Sequence, residues 1–155
     1  MKGPLEERFA AKIDKSGECW EWTASINGAG YGQIGNQGTV LLAHRVAYEL
    51  ENGPIPDGLV IDHICRRRSC VRPSHLRAVT QKQNAENAPS VTGSTTGIRG
   101  VYPVTKSGKF AAIVIHNRER HYIGGHFATV AEAEAAVIAK RNELHTCNEL
   151  DRISA

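Results

Sequence analysis

The stretch from Asp62 to Asn87, reading DHICRRRSCVRPSHLRAVTQKQNAEN, carries a histidine able to serve as a general base, three soft metal ligands, five arginines and two asparagines. Cys65 and Cys70 are separated by four residues, and His75 follows after four more. At that spacing two thiolates and an imidazole can converge on one zinc ion. The crowding arginines leave little apolar cover for buried thiols, so core packing alone does not account for the pattern. Zinc in a structural role takes four ligands, and the fourth is sought among Cys19, Cys147 and the other histidines. Cys19 is preferred because it opens Cys19-Trp20-Glu21-Trp22, whose two tryptophans suggest a packed element. Cys147 lies in a polar C-terminal stretch that reads as a tail of residues 146–155.

The elements needed to position these groups can be read around them. Leu59-Val60-Ile61 is a short apolar run that delivers Asp62 and His63 to a strand end. Successive strand side chains point to opposite faces, so the two reach one site only if the strand bends or ends there. Thr80 and Gln83 have capping-box spacing, which predicts a helix over 81–87 with Asn84 and Asn87 on one face. Upstream, Leu5, Phe9 and Ile13 recur every four residues and predict a short amphipathic helix ending before Ser16-Gly17. The glycine-rich stretch from Trp20 to Leu42 reads as hairpins, with strands at Tyr31–Ile34 and Thr39–Leu42. A helix from Ala43 to Glu51, stopped by Gly53-Pro54, carries His44 and Arg45 at its start.

Asp62-His63-Ile64-Cys65, Cys70, Pro73, His75-Leu76, Thr80 and Asn84 together resemble the ββα-metal motif of HNH endonucleases, in the zinc-containing form shared with His-Cys box homing endonucleases. The resemblance implies that His63 is the general base and that Asn84, with Asp62, holds a catalytic magnesium or manganese ion. It also implies structural zinc at Cys65, Cys70 and His75, and an arginine near the scissile phosphate at Arg45. Asn87 is the reserve for Asn84. One departure is Arg72, which stands where many relatives have asparagine before the proline.

Residues 89–97 are uncharged, small and rich in Ser, Thr and Gly, and read as a linker. Beyond them come three short strand patterns separated by turns at Ser107-Gly108 and Asn117, then an alanine-rich helix opened by Thr129 and Glu132 in capping-box spacing. Gly97-Ile98-Arg99-Gly100-Val101, Gly108-Lys109-Phe110-Ala111-Ala112 and Tyr122-Ile123-Gly124 with Phe127 resemble the plant Apetala-two-type DNA-binding domain over residues 98–145. The resemblance implies DNA contacts from Arg99, Tyr102, Lys109, Arg120 and Tyr122. Several positions that are basic in that domain are neutral here, among them Tyr102, Val104 and Ile115.

Composition agrees with this organisation. At 155 residues with 41% apolar content the chain can build one ordinary core or two small ones. The net charge of +3 hides a polarised distribution: residues 62–87 carry six basic and two acidic side chains, residues 97–127 five and one, and residues 1–61 five and eight. Local charge is the better guide to a partner, and both basic stretches suit phosphates. No apolar export core or membrane-length apolar run is present, and four cysteines favour metal ligation in a reducing cytoplasm, here that of a bacterial host. The fold expectation is α+β: a zinc-stapled ββα-metal nuclease core over residues 1–88, then a small three-stranded antiparallel sheet packed on one helix. The functional expectation is a site-specific, homing-type endonuclease of phage or mobile-element origin, acting on double-stranded DNA as a monomer or homodimer. A fragment ending near Ala88 is then expected to keep the chemistry and lose site choice. The competing readings are a zinc-stapled DNA-binding regulator whose nuclease motif has decayed, which Arg72 favours, and an RNA-binding or virion protein.

Overall fold

The computed structural model describes residues 3–88 and 94–153, so residues 89–93 of the expected linker lie outside the described residues. The chain divides into two compact units, Met1–Asn84 and Ala85–Ala155.

The first unit begins with helix α1 (Leu5–Ala10), shorter than the periodic stripe suggests. Ile13 lies instead in strand β1 (Ile13–Asp14), paired antiparallel with β2 (Glu21–Trp22). The Lys12 carbonyl accepts from Thr23 N–H at 2.9 Å across this hairpin, and a carbonyl bonded sideways no longer serves a helix. The stripe is still buried together: Phe9 stacks on Trp22 with ring centroids 5.3 Å apart, and Leu5 and Ile13 pack on the same core. A Cβ at Gly32 would fall 2.6 Å from the Trp22 ring, so the chain can cross that tryptophan there only as glycine.

A hairpin of β3 (Gln33–Asn36) and β4 (Thr39–Leu42) follows, turning at Gln37 and Gly38, both at positive φ. It leads directly into α2 (Ala43–Asn52), which ends at Gly53. Strand β5 (Val60–His63) then pairs antiparallel with β6 (Leu76–Val79), setting His63 opposite Leu76 and Asp62 opposite Arg77. Helix α3 (Gln81–Asn87) completes a β-β-α sequence. Its start is a capping box: Thr80 N–H donates to Gln83 Oε1 at 3.0 Å, and Gln83 N–H donates to Thr80 Oγ1 at 3.3 Å.

The second unit holds the antiparallel sheet β7 (Val101–Val104), β8 (Lys109–His116) and β9 (Glu119–Phe127), in that order, with α4 (Val130–Leu144) packed on one face. Thr129 and Glu132 cap α4 reciprocally, as the spacing predicts. Ala133 and Val137 of α4 are fully buried against Val101, Ala112 and Val114, and these small side chains let the helix lie close to the sheet. The α+β expectation holds in both units.

Residues 146–153, the described part of the expected tail of residues 146–155, are ordered into structure. Helix α5 (Glu149–Ile153) follows Cys147 and Asn148, which are 6% and 0% exposed. Polar partners, which apolar periodicity does not register, hold it in place. Arg141 pairs with Asp151 at 3.3 Å, Asn148 Nδ2 donates to Asn142 Oδ1 at 2.8 Å, and Arg152 donates to the His145 carbonyl at 2.9 Å.

Each unit also buries a histidine in its neutral form. Burial, then the neighbouring His63 and Arg45, hold His44 down to about 3. Burial likewise pushes His145 below its ordinary value, although Glu86 acts in the opposite sense. A histidine depressed in the folded state binds fewer protons there than in the unfolded chain. Its contribution is therefore full above about pH 6.5 and is lost as pH falls below it, at about 1.4 kcal/mol per pH unit for a group as strongly shifted as His44. Urea unfolding at pH 7 and pH 5 should show a loss of about 2 kcal/mol in the first unit. His145→Phe should lessen the acid sensitivity of the second unit, and an unchanged slope in that variant would assign the effect to other groups.

Candidate active site and metal centre

The connection from β5 to β6 runs from Ile64 to His75 and contains a single 3-10 turn at Pro73–His75. Its shape is fixed by the edge it offers to the tryptophan segment. Trp22 N–H donates to the Ser69 carbonyl at 3.0 Å and Val71 N–H to the Trp20 carbonyl at 2.8 Å, with Glu21 and Cys70 bridged antiparallel. Glu21 strengthens this edge, accepting from Ser69 Oγ at 2.6 Å and Arg67 at 3.2 Å. The pairing brings Cys19, distant in sequence, against Cys70.

The ligand atoms of Cys19, Cys65, Cys70 and His75 all lie within 4.8 Å of one another. His75 Nδ1 is 3.6 Å from Cys19 Sγ and 3.7 Å from Cys70 Sγ. A tetrahedral zinc with bonds of about 2.3 Å to sulfur and about 2.05 Å to nitrogen has an S···N edge of about 3.6 Å. These two edges have the length that a Cys3His zinc site requires, and the cluster could hold the ion. Cys19, rather than Cys147, completes it, and Cys147 is buried in the second unit. A hydrogen bond from Cys65 brings Cys70 down to about 5, while that same bond raises Cys65. Arg72 donates to the Glu18 carbonyl at 2.6 Å, next to Cys19, so it braces the loop at the cluster.

His63, at the end of β5, is 6% exposed, and its Nε2 lies 3.1 Å from the carbonyl of Cys70. A carbonyl only accepts, so this contact makes Nε2 the protonated nitrogen and leaves the lone pair on Nδ1. Burial lowers the basicity of His63 against the raising effect of the Cys70 carbonyl and Asp62, which keeps the ring neutral at neutral pH. The cysteine loop thus orients the expected base through a backbone atom of Cys70, a member of the cluster. Asp62 is 4% exposed, and its Oδ2 accepts from Arg77 Nε at 2.9 Å and forms an ion pair with a terminal nitrogen of the same guanidinium at 2.8 Å. Asn84 and Arg45 are half-buried, on α3 and α2 respectively. Asn87, the reserve amide, is 2% exposed.

Two residues near His63 carry no role in the sequence reading. The His44 ring lies 4.8 Å from that of His63, and Tyr31 lies 5.1 Å from His44 and 5.9 Å from His63. Arg68 stands over the Tyr31 ring at 5.5 Å. The helix start that singles out Arg45 also carries His44, but residue type alone does not say which of two neighbours turns inward.

In the second unit Tyr102, Lys109, Arg120 and Tyr122 are exposed on the sheet. Cross-strand pairs set Tyr102 beside Ala111, Tyr122 beside Ile113 and Arg120 beside Ile115 on the face away from α4. Arg99 is placed differently: its guanidinium donates to the carbonyls of Ala85, Glu86 and Ala88 at 2.8, 3.3 and 3.1 Å.

Residues 41–86 match the family described as HNH endonuclease, a span from the end of β4 through α2, β5, the cysteine loop and β6 into α3. Cys19 and the sheet unit lie outside it. Protein 7.7 of Escherichia phage T7 is 40% identical over 70 residues, covering 45% of this chain and 54% of that protein. Protein 2.8 of the same phage is 40% identical over 76 residues, covering 48% and 50%. The uncharacterized gene 5.3 protein of Enterobacteria phage T3 is 44% identical over 41 residues, 26% of this chain and 41% of that protein. The chain spans about half the length of the curated relatives it matches. No solved structure matches it. The HNH match over these residues suggests a nuclease.

Proposed function

We propose that the chain is a homing-type DNA endonuclease that hydrolyses phosphodiester bonds with His63 as general base, and that its sheet unit lengthens the recognised site. The observation that carries this reading is His63 itself: a buried, neutral imidazole held by the Cys70 carbonyl, within a span that matches the HNH family. His63 takes a proton from water, and the water oxygen attacks phosphorus in line. The bond to the 3′ oxygen breaks, leaving a 5′ phosphate and, once that oxygen is protonated from solvent, a 3′ hydroxyl. Arg45 holds a non-bridging oxygen. Carboxylate and amide oxygens are the hard donors that magnesium and manganese accept, so Asp62 and Asn84 would hold the divalent ion. When bound, the ion supplies charge neutralisation at the phosphate.

The sheet unit offers Tyr102, Lys109, Arg120 and Tyr122 on its exposed surface, a mixture of cations and aromatic rings that suits a groove of duplex DNA. Two weak DNA-binding surfaces on one chain raise affinity by multivalency without any new interaction. A decayed nuclease retained as a DNA-binding regulator is the second reading, and Arg72 in place of the family asparagine favours it.

Plasmid nicking with and without magnesium separates the two. The wild-type chain should nick only with the ion, and His63→Ala should lose about 100-fold or more in rate with DNA affinity nearly intact. Wild-type rates in that variant would remove His63 as the base. Zinc should copurify at one ion per chain, and Cys65→Ser or Cys70→Ser should unfold the first unit, because ligation and folding are linked. Metal analysis without zinc would remove the structural ion. Replacing Lys109 and Arg120 by alanine should reduce the log–log salt slope of DNA binding by about 0.9 for each phosphate no longer neutralised. An unchanged slope would leave the sheet without a grip on DNA.

A further inference from the structure

Helix α3 starts in the first unit and ends in the second, the boundary falling between Asn84 and Ala85. At seven residues it is too short to be stable by itself, since helices of fewer than about 12 residues are marginal in water. Its N-terminal end is held by the Thr80–Gln83 capping box. The C-terminal end of any helix leaves carbonyls without helical donors and carries the negative pole of the backbone dipole, and Arg99 meets both needs. One terminal nitrogen of its guanidinium reaches the carbonyls of Ala85, Glu86 and Ala88. Arg99 is anchored in turn, because Arg141 donates to its carbonyl and Arg141 pairs with Asp151 of α5.

Glu86 provides a second hold. It is 6% exposed, and Oε2 accepts from Thr146 N–H at 2.9 Å and Thr146 Oγ1 at 3.2 Å, while Oε1 lies 3.7 Å from His116 Nδ1. A buried carboxylate with several directional partners resists rotation of the helix that carries it. Asn84 is two residues from Glu86 on this same short helix, and its N–H donates to the Thr80 carbonyl at 3.0 Å.

We propose that Arg99 and Glu86 are positioning residues for the amide of Asn84, acting through the last turn of the helix that carries it. The inference rests on the reading of Asn84 given above. It reverses the expectation that a fragment ending near Ala88 keeps full chemistry, because that fragment retains α3 and discards both of its C-terminal holds. Arg99 thereby also leaves the set of residues expected on DNA.

The test uses the full chain with Arg99→Ala, Arg99→Lys, Glu86→Gln and the milder Thr146→Val. Hydrogen exchange reads the helix without reference to activity: in Arg99→Ala the amides of Asn84 and Glu86 should exchange about tenfold faster or more, while β5 and β6 stay protected. In cleavage, kcat should fall about tenfold or more with KM and the salt slope of DNA binding little changed, since displacement of a positioned group acts on the chemical step. Thr146→Val should show the same pattern more weakly, and Arg99→Lys should recover part of the rate by returning the positive charge to the helix end. Wild-type exchange at Asn84 in Arg99→Ala, or a loss confined to KM and salt slope, would overturn the proposal and return Arg99 to the residues expected on DNA. A wild-type chain that does not cleave, with exchange at α3 still accelerated in the variants, would instead sink the nuclease reading while leaving the anchoring of the helix intact. Should Glu86→Gln fail to fold, Thr146→Val tests the same carboxylate from its partner's side.

Discussion

The convergence of Cys19, Cys65, Cys70 and His75 is the constraint on which the first unit depends. The connection between β5 and β6 contains four of the five arginines that make this segment basic, and a loop of that composition has little apolar surface with which to hold a shape. Its order comes from directional contacts: the edge pairing with Trp20 and Trp22, the Glu21 bonds to Ser69 and Arg67, and four ligand atoms gathered within 4.8 Å. The Cys70 carbonyl that orients His63 belongs to this same loop. The gathering of the four ligand atoms, the shape of the loop and the orientation of His63 thus rest on one set of contacts, and Arg72 contributes to it from the other side by holding the chain just before Cys19.

What the sequence discloses follows from how local each signal is. The capping boxes at Thr80 and Thr129, the stop at Gly53 and the cysteine spacing depend on residues a few positions apart, and the elements they mark lie where the spacing puts them. Ile13 departs from the predicted helix because a four-residue repeat constrains only which residues are buried together. The core accepts Leu5, Phe9 and Ile13 from a helix followed by a strand as readily as from one helix. Strand β6 is hard to read because Leu76-Arg77-Ala78-Val79 has a half-buried pattern without clear alternation, and its identity comes from pairing with β5.

The largest departures concern polar residues. Residues 146–153 look like a tail by composition, but their order rests on Arg141, Asn142, Asn148, Asp151 and Arg152 meeting one another, and such complementarity leaves no periodic trace in a sequence. Arg99 is the same problem in one residue. An arginine beside a strand in a basic segment reads as a phosphate contact, and whether its guanidinium faces solvent or three helix carbonyls is a matter of tertiary direction. His44 is a third instance, since a histidine at a helix start gives no sign that it will be buried against another imidazole.

Helix α3 depends on both kinds of determinant. Its first turn is specified locally and its last turn tertiarily, by groups that come from residues 99, 116 and 146. A short helix held at one end frays from the other, because each terminal hydrogen bond closes only one residue at a time against its conformational entropy. An amide in the middle of such a helix keeps a fixed direction only when both ends are pinned. Asn87, next to the anchored Glu86, is buried in that turn, whereas Asn84, one turn earlier, is half-buried.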